Sequence, residues 1–132
     1  MDEKLFIIEK RAHCVRIAFK NGVAIGPDLI IAAIEHENEL YPIEDRQSLW
    51  DLRGCQVTQD FGFDAMSRVV DLIRSRYTTA NTTNKAALVV DGSTMFGLSR
   101  MFQMLMDGFP TQIAVFQDEA AARNWIGLEV CS

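Results

Sequence analysis

The chain has 132 residues, of which 48% are hydrophobic and 23% charged, and its formal net charge at pH 7 is −5. This length and composition predict one globular domain spanning residues 1–132. The acidic balance opposes binding to nucleic acid, because phosphates attract clustered Lys and Arg. No apolar stretch is long enough to span a bilayer. The amino terminus lacks signal-peptide features, and the three cysteines lack zinc-ligand spacing, so we expect reduced thiols and a cytoplasmic protein.

The first half of the chain opens with two predicted strands. Residues 5–9 form a short apolar run, and residues 14–19 alternate between apolar and polar side chains, as a half-buried strand does. We predict that the two strands pair as an antiparallel hairpin. A helix then opens at residues 26–28, where proline suits the first turn, and it ends before Pro42 because proline cannot continue a helix.

The second half alternates strand and helix three times. The predicted elements are a strand at 48–52, a helix at 63–77, a strand at 86–90, a helix at about 95–106, a strand at 111–116 and a helix capped by Asp118. Repeated strand–helix units predict parallel pairing. The whole pattern predicts an α/β fold: a mostly parallel sheet with an amino-terminal antiparallel hairpin, flanked by about four helices.

The turn at residues 91–94, Asp91-Gly92-Ser93-Thr94, lies between a predicted buried strand and a helix. The carboxyl edge of a parallel sheet and the N-terminus of a helix both favour ligands, anions above all. Asp91, Ser93 and Thr94 are therefore candidate binding residues. The alternative, which we favour, is that these side chains only cap the helix. Without a GxxxxGK[ST] or GxGxxG motif, nucleotide binding has no support in the sequence.

The helix at 95–106 is apolar on more than one side. Such a helix can bury one side in the core and present another to a partner or an apolar ligand, and methionine suits adaptable surfaces. Met95, Phe96, Arg100 and Met104 are the candidate binding residues of this helix. The alternative, again favoured, is a helix that its neighbours cover on most sides.

Carboxylates are concentrated in the segment 35–45, around one of the two histidines. Glu35 and Glu39 are one helical turn apart, so a weak site for a hard cation is one interpretation. A solvated acidic surface is the favoured one. Neither histidine lies in a catalytic motif, and Cys55 fits an inert cysteine better than a nucleophile. We therefore predict no catalytic residues, no metal and no cofactor.

Two local sequences, the run AALVVD at 86–91 and FGLSRMF at 96–102, carry a family resemblance. They resemble the SpoIIAA-like proteins, which are small bacterial proteins of the STAS-like or CRAL-TRIO-like class. Residues 113–126 are similar to the ending of that family. Residues 49–54 are similar to the strand that precedes the regulatory helix of STAS domains. The resemblance covers nearly the whole chain and implies the same α/β fold.

The resemblance implies two kinds of function. STAS anti-sigma-factor antagonists carry an Asp-Ser pair at a helix start and are switched by phosphorylation of that serine, whose added charge disrupts docking. The corresponding turn here, 58–63, has no such pair, and Thr58 is its only hydroxyl and hence the candidate phosphoacceptor. The first expectation is a non-enzymatic regulatory module that binds a protein partner or a second copy of itself. The alternative is a CRAL-TRIO-like protein that binds a small apolar or lipid-like ligand.

Overall fold

The structure, a computed structural model, describes residues 5–11, 14–41, 46–76 and 84–127. The hairpin consists of β1 (Phe6–Lys10) and β2 (Cys14–Phe19), which pair antiparallel with Phe6 opposite Phe19. The remaining elements are, in order, β3 (Ala24–Ile25), α1 (Pro27–Leu40), β4 (Gln47–Asp51), β5 (Gln56–Val57), α2 (Phe63–Arg76), β6 (Lys85–Val89), α3 (Ser93–Leu105), β7 (Gln112–Phe116) and α4 (Glu119–Ile126).

The main sheet has the order β1-β2-β4-β6-β7, and every pair except the hairpin is parallel. The predicted α/β fold, with its hairpin and four helices, is therefore confirmed. The structure adds a separate two-stranded parallel sheet of β3 and β5, which the sequence did not predict. Two-residue strands are too short to show an alternating pattern.

The parallel strands follow one another across the sheet in chain order. Ligands in open α/β sheets commonly bind in a crevice where the strand order reverses. No reversal occurs among the described strands, so the carboxyl edge of this sheet has no such crevice. The sheet order therefore removes one of the two reasons for expecting a ligand at residues 91–94.

The two faces of the sheet bury different cores. On one face α1, α2 and α3 cover the larger core, whose fully buried side chains include Val15, Ile17 and Val69. On the other face α4 packs Ala122 and Ile126 against alternate strand residues, namely Cys14, Leu49, Ala87 and Val89. Each fully buried aliphatic side chain contributes about 1.5–3 kcal/mol to hydrophobic stabilisation.

The structure tests two expectations from the sequence: that the cysteines are reduced and that no segment spans a membrane. Cys14 is disulfide-bonded, so the expectation of reduced thiols is wrong for this residue, whereas Cys55 is free. Cys131 and His13 lie outside the described residues. In the described part of the chain, no helix has both the length and the apolar character to cross a membrane.

Candidate functional site

The turn at residues 91–94 connects β6 to α3, but its side chains do not cap the helix. The carboxylate of Asp91 accepts a hydrogen bond from the backbone N–H of Gly54, at 3.0 Å to Oδ1 and 3.2 Å to Oδ2. Gly92 occupies the N-cap with a φ of 81°, and no side chain caps the helix. Ser93 and Thr94 begin the helix and are exposed. The favoured capping interpretation is therefore wrong, because Asp91 instead joins this turn to the one after β4.

The candidate residues of α3 divide between the interior and the surface. Met95 is buried, with 3% of its surface exposed, whereas Met104 is 72% exposed. Phe96 is half-buried, and the guanidinium carbon of the exposed Arg100 lies 5.8 Å from its ring centre. Apart from Met104, the large apolar side chains of α3 are buried or half-buried against the core, so the favoured interpretation of a helix covered on most sides agrees with the structure. Met95 can serve only an interior ligand, while Phe96, Arg100 and Met104 remain candidates for contact with a partner.

A cavity of about 110 Å³ lies between the sheet and the helices α1, α2 and α3. Its strand wall includes Trp50, Leu52 and Leu88, and its helix wall includes Ile34, Val69 and Met95. Protein interiors are normally filled, with few voids larger than a water molecule. Apolar cavities of this order bind small apolar molecules such as benzene or xenon. Most of this wall offers only apolar contact.

One part of the cavity wall is polar. Glu37 of α1 is 2% exposed and accepts a hydrogen bond of 2.7 Å from the hydroxyl of Ser48. The Nε of Arg46 lies 3.3 Å from the same carboxylate oxygen, while its Nη1 donates to the Oδ1 of Asn38 and to the carbonyl of Tyr41. Burial raises the pKa of Glu37, and the charge of Arg46 and the Ser48 bond offset part of that rise.

The polar wall extends along the amino ends of the parallel strands. Asn84 precedes β6 and is buried; its Nδ2 donates to the backbone carbonyl of Arg46 at 3.2 Å. Thr111 precedes β7 and donates to the Oδ1 of Asn84 at 2.8 Å. All of these residues except Asn38 and Tyr41 line the cavity. We call Glu37, Arg46, Ser48, Asn84 and Thr111 the polar end. No sequence motif indicated it, because its members come from four separate segments.

The acidic segment 35–45 does not form one solvated surface. Glu37 is buried, so the favoured interpretation is wrong for that residue. Glu35 pairs with Arg76 of α2 at 2.6 Å, and Glu39 lies 3.7 Å from the Nδ1 of His36. Residues 42–45 lie outside the described part of the chain, and within that part no group of three or more potential ligands could hold a metal ion.

A cluster of ion pairs lies on the opposite face of the sheet, beside α4. Arg16 contacts Asp51 at 2.6 Å and Glu119 at 3.0 Å. Arg53 bonds the same two carboxylates at 2.8 Å each, and Arg123 bonds Glu119 at 2.9 Å. The Arg16 bond lowers the pKa of Glu119. Burial acts to raise the pKa of Asp51, but the bonds from Arg53 outweigh it, so that pKa is also lowered. Every charge is paired, so the cluster fastens α4 to the sheet.

Two further candidates lie near the turn before α2. The half-buried Thr58 donates its hydroxyl to the Oδ1 of Asp60 at 2.5 Å and precedes the first residue of α2, Phe63, by five positions. It is therefore not at a helix start, where the STAS phosphoserine acts. Burial raises the pKa of Cys55 to about 11, which keeps it a thiol at neutral pH and disfavours a nucleophilic role.

The comparison with solved structures identifies the fold. The chain is similar to an uncharacterized protein of the DUF3478 family from Shewanella loihica PV-4, described as having a SpoIIAA-like fold. The match covers 92% of this chain and 91% of that one, with a TM-score of 0.52 and 15% sequence identity. No protein-family model matches the chain, and no curated protein does. The chain therefore has a SpoIIAA-like fold, as its sequence predicted.

Proposed function

We propose that this protein is a non-enzymatic STAS-like module that binds a small apolar molecule in the cavity between the sheet and the helices α1, α2 and α3. The cavity is the observation that carries the proposal. A volume of about 110 Å³ suits about four to five non-hydrogen atoms, by proportion to a cavity of about 150 Å³ that binds benzene. A complete lipid is too large for this space, so the ligand is a short molecule.

Xenon tests the cavity directly, because it binds apolar cavities and forms no hydrogen bonds, so it reports on the apolar wall alone. Ser99 is 4% exposed and lines the cavity, so Ser99→Leu places an apolar side chain in the empty space. The exposed Ser75 on α2 provides the matched control Ser75→Leu. In titrations followed by methyl NMR, the wild type and Ser75→Leu should show saturable shifts at Met95 and Leu88, and Ser99→Leu should not. Absence of shifts in the wild type, or equal shifts in all three proteins, would refute the proposal.

A second candidate function is interaction with a protein partner or a second copy through the outer side of α3. The observation in its favour is the 72% exposure of Met104, an unusual position for a large apolar side chain. If this side mediates a dimer, light scattering should give twice the monomer mass for the wild type and the monomer mass for Met104→Glu. Equal masses for the two proteins would exclude self-association through Met104.

Regulation by phosphorylation is a separate proposal that rests on Thr58. Its hydroxyl lies against the Asp60 carboxylate, so an added phosphate would be repelled and would displace the turn before α2. Mass spectrometry of the protein from its own cells should find phosphate at Thr58. Complete peptide coverage without phosphate at Thr58, Ser93 or Thr94 would exclude this regulation.

A cytoplasmic location is also part of the proposed function. The acidic sequence, which contains no apolar stretch of membrane-spanning length, supports this location. The disulfide at Cys14 argues against it, because disulfides persist mainly in oxidising compartments. Cell fractionation, with thiols blocked before lysis, decides between the two. Recovery in the cytoplasmic fraction is the expected result, and recovery from an oxidising compartment would overturn it.

A further inference from the structure

Glu37 has a carboxylate oxygen without a donor. Its Oε2 accepts the hydroxyl of Ser48 at 2.7 Å and faces the Nε of Arg46 at 3.3 Å. Its Oε1 accepts no hydrogen bond from the residues that the structure describes. Glu37 is 2% exposed and lines the cavity, and beside it the buried Nε of Arg46 makes no hydrogen bond within the described residues. Buried polar groups without partners are costly, so a group in the cavity that donates to Oε1 of Glu37 and accepts from Nε of Arg46 would stabilise this arrangement.

The charges at the polar end select an uncharged donor. Arg46 already neutralises Glu37, and its Nη1 is used by Asn38 and Tyr41. An ammonium group would add a second cation beside Arg46, and a carboxylate would place a second anion beside Glu37. Either would leave a buried charge without a partner, which is strongly unfavourable. A hydroxyl group donates a hydrogen bond to Oε1, can accept one from the unpartnered Nε of Arg46, and brings no net charge.

The shape of the cavity places this donor at one end of the ligand. Ser48, Trp50 and Leu52 are alternate residues along β4 and its extension, and all three line the cavity. The lined stretch is roughly 13 Å long at about 3.3 Å per residue. This stretch is polar at Ser48 and apolar at Leu52, so it matches an unbranched ligand that has a polar group at one end and an alkyl chain at the other.

We propose that the cavity binds a short-chain aliphatic alcohol whose hydroxyl donates to Oε1 of Glu37. This inference rests on the proposed ligand-binding function and adds the chemical class of the ligand. It assigns Glu37 as the residue that recognises the hydroxyl, with Arg46 holding the carboxylate in place. The walls formed by Trp50, Leu88 and Met95 would contact the alkyl chain.

Four probes of nearly equal size test this assignment on the wild-type protein: 1-butanol, 2-butanone, n-butylamine and butyrate. Each is titrated while the methyl signals of Met95 and Leu88 are followed by NMR. We expect 1-butanol to bind about tenfold more tightly than 2-butanone, which has the same number of non-hydrogen atoms but no donor. The two charged probes should bind more weakly than either. Equal affinities for 1-butanol and 2-butanone, or tighter binding of a charged probe, would overturn the inference.

The variants Ser99→Leu and Glu37→Gln separate this inference from the proposed function. Ser99→Leu should lose xenon and all four probes. Glu37→Gln, if folded by circular dichroism, should retain xenon but lose the preference for 1-butanol, because an amide can turn its own donor toward the ligand. Should Glu37→Gln fail to fold, the wild-type probe series decides alone. Xenon binding without discrimination among probes refutes the alcohol and leaves the cavity function, whereas absence of xenon binding refutes both.

Discussion

The buried pair of Glu37 and Arg46 gives the most quantitative prediction. Their side chains are 3% and 7% exposed, so neither charge is solvated if its partner is removed. Arg46→Met keeps much of the side-chain volume but leaves the Glu37 carboxylate uncompensated. Breaking a buried ion pair in this way costs about 3–5 kcal/mol. We therefore expect the free energy of unfolding at pH 7 to fall by that amount, a large part of the total stability of a domain this size.

The double variant isolates the interaction between the two charges. Glu37→Gln alone should also cost about 3–5 kcal/mol, because it leaves Arg46 buried without a counter-charge. Glu37→Gln combined with Arg46→Met removes both charges and should cost much less than the sum of the single changes. Urea unfolding followed by circular dichroism measures all four proteins. Additive losses, or single losses below about 1 kcal/mol, would show that the pair is solvated and would refute this description of the polar end.

The pH dependence supplies a second check on the same pair. The raised pKa of Glu37 means that the folded state binds its proton more tightly than the unfolded state. The folded state therefore loses stability as the pH rises from the unfolded value, about 4.3, toward the folded value. Arg46→Met removes the cation that offsets this rise. The difference in the free energy of unfolding between Arg46→Met and the wild type should therefore become smaller as the pH is lowered toward 4. A difference that stays constant with pH would contradict the proposed pairing of Arg46 with Glu37.

Three further predictions concern the other face of the sheet and the turns. Because the pKa values of Asp51 and Glu119 are lowered in the folded protein, these groups add stability above their unfolded pKa values, and that stability is lost as the pH falls through the folded pKa values. When the free energy of unfolding is measured as a function of acid pH, Glu119→Gln should lose less stability than the wild type, whereas the exposed control Glu39→Gln should lose as much. With its pKa raised to about 11, Cys55 should react with iodoacetamide at pH 8 about two orders of magnitude more slowly than an unperturbed thiol, and an equal rate would place it in solvent. Asp118 accepts from two backbone N–H groups at the start of α4, so Asp118→Ala should cost about 1 kcal/mol in urea unfolding while Asp118→Asn costs little; equal losses would exclude a capping role.

The regular elements were predictable because each carries a local pattern. The predicted strand at 14–19 and the cap at Asp118 are confirmed. The helix predicted at 63–77 is observed at Phe63–Arg76, with its buried positions one turn apart. The pattern succeeds here because each element buries one face against the sheet.

The candidate site was less predictable because it depends on contacts between distant segments. Glu37 lies in an acidic run that is typical of a solvated surface, yet its partners are on and before β4. Asp91 has the residue type and position of a helix cap, but its carboxylate accepts a hydrogen bond from the backbone N–H of Gly54 in the neighbouring turn instead. A cavity has no sequence signature at all, because it is space that the surrounding side chains leave unfilled.

The attachment of α4 has a consequence for how the molecule opens. With eight residues, α4 is too short to be stable as an isolated helix, so its order depends on docking. Ala122 and Ile126 supply the apolar contact and Glu119 the ionic one, and the larger core on the opposite face involves none of them. We therefore expect α4 to detach as one unit well before global unfolding, with its amide hydrogens exchanging together and faster at high salt. The two faces of the sheet would then differ in stability, with α4 on the less stable face and the larger core on the more stable one.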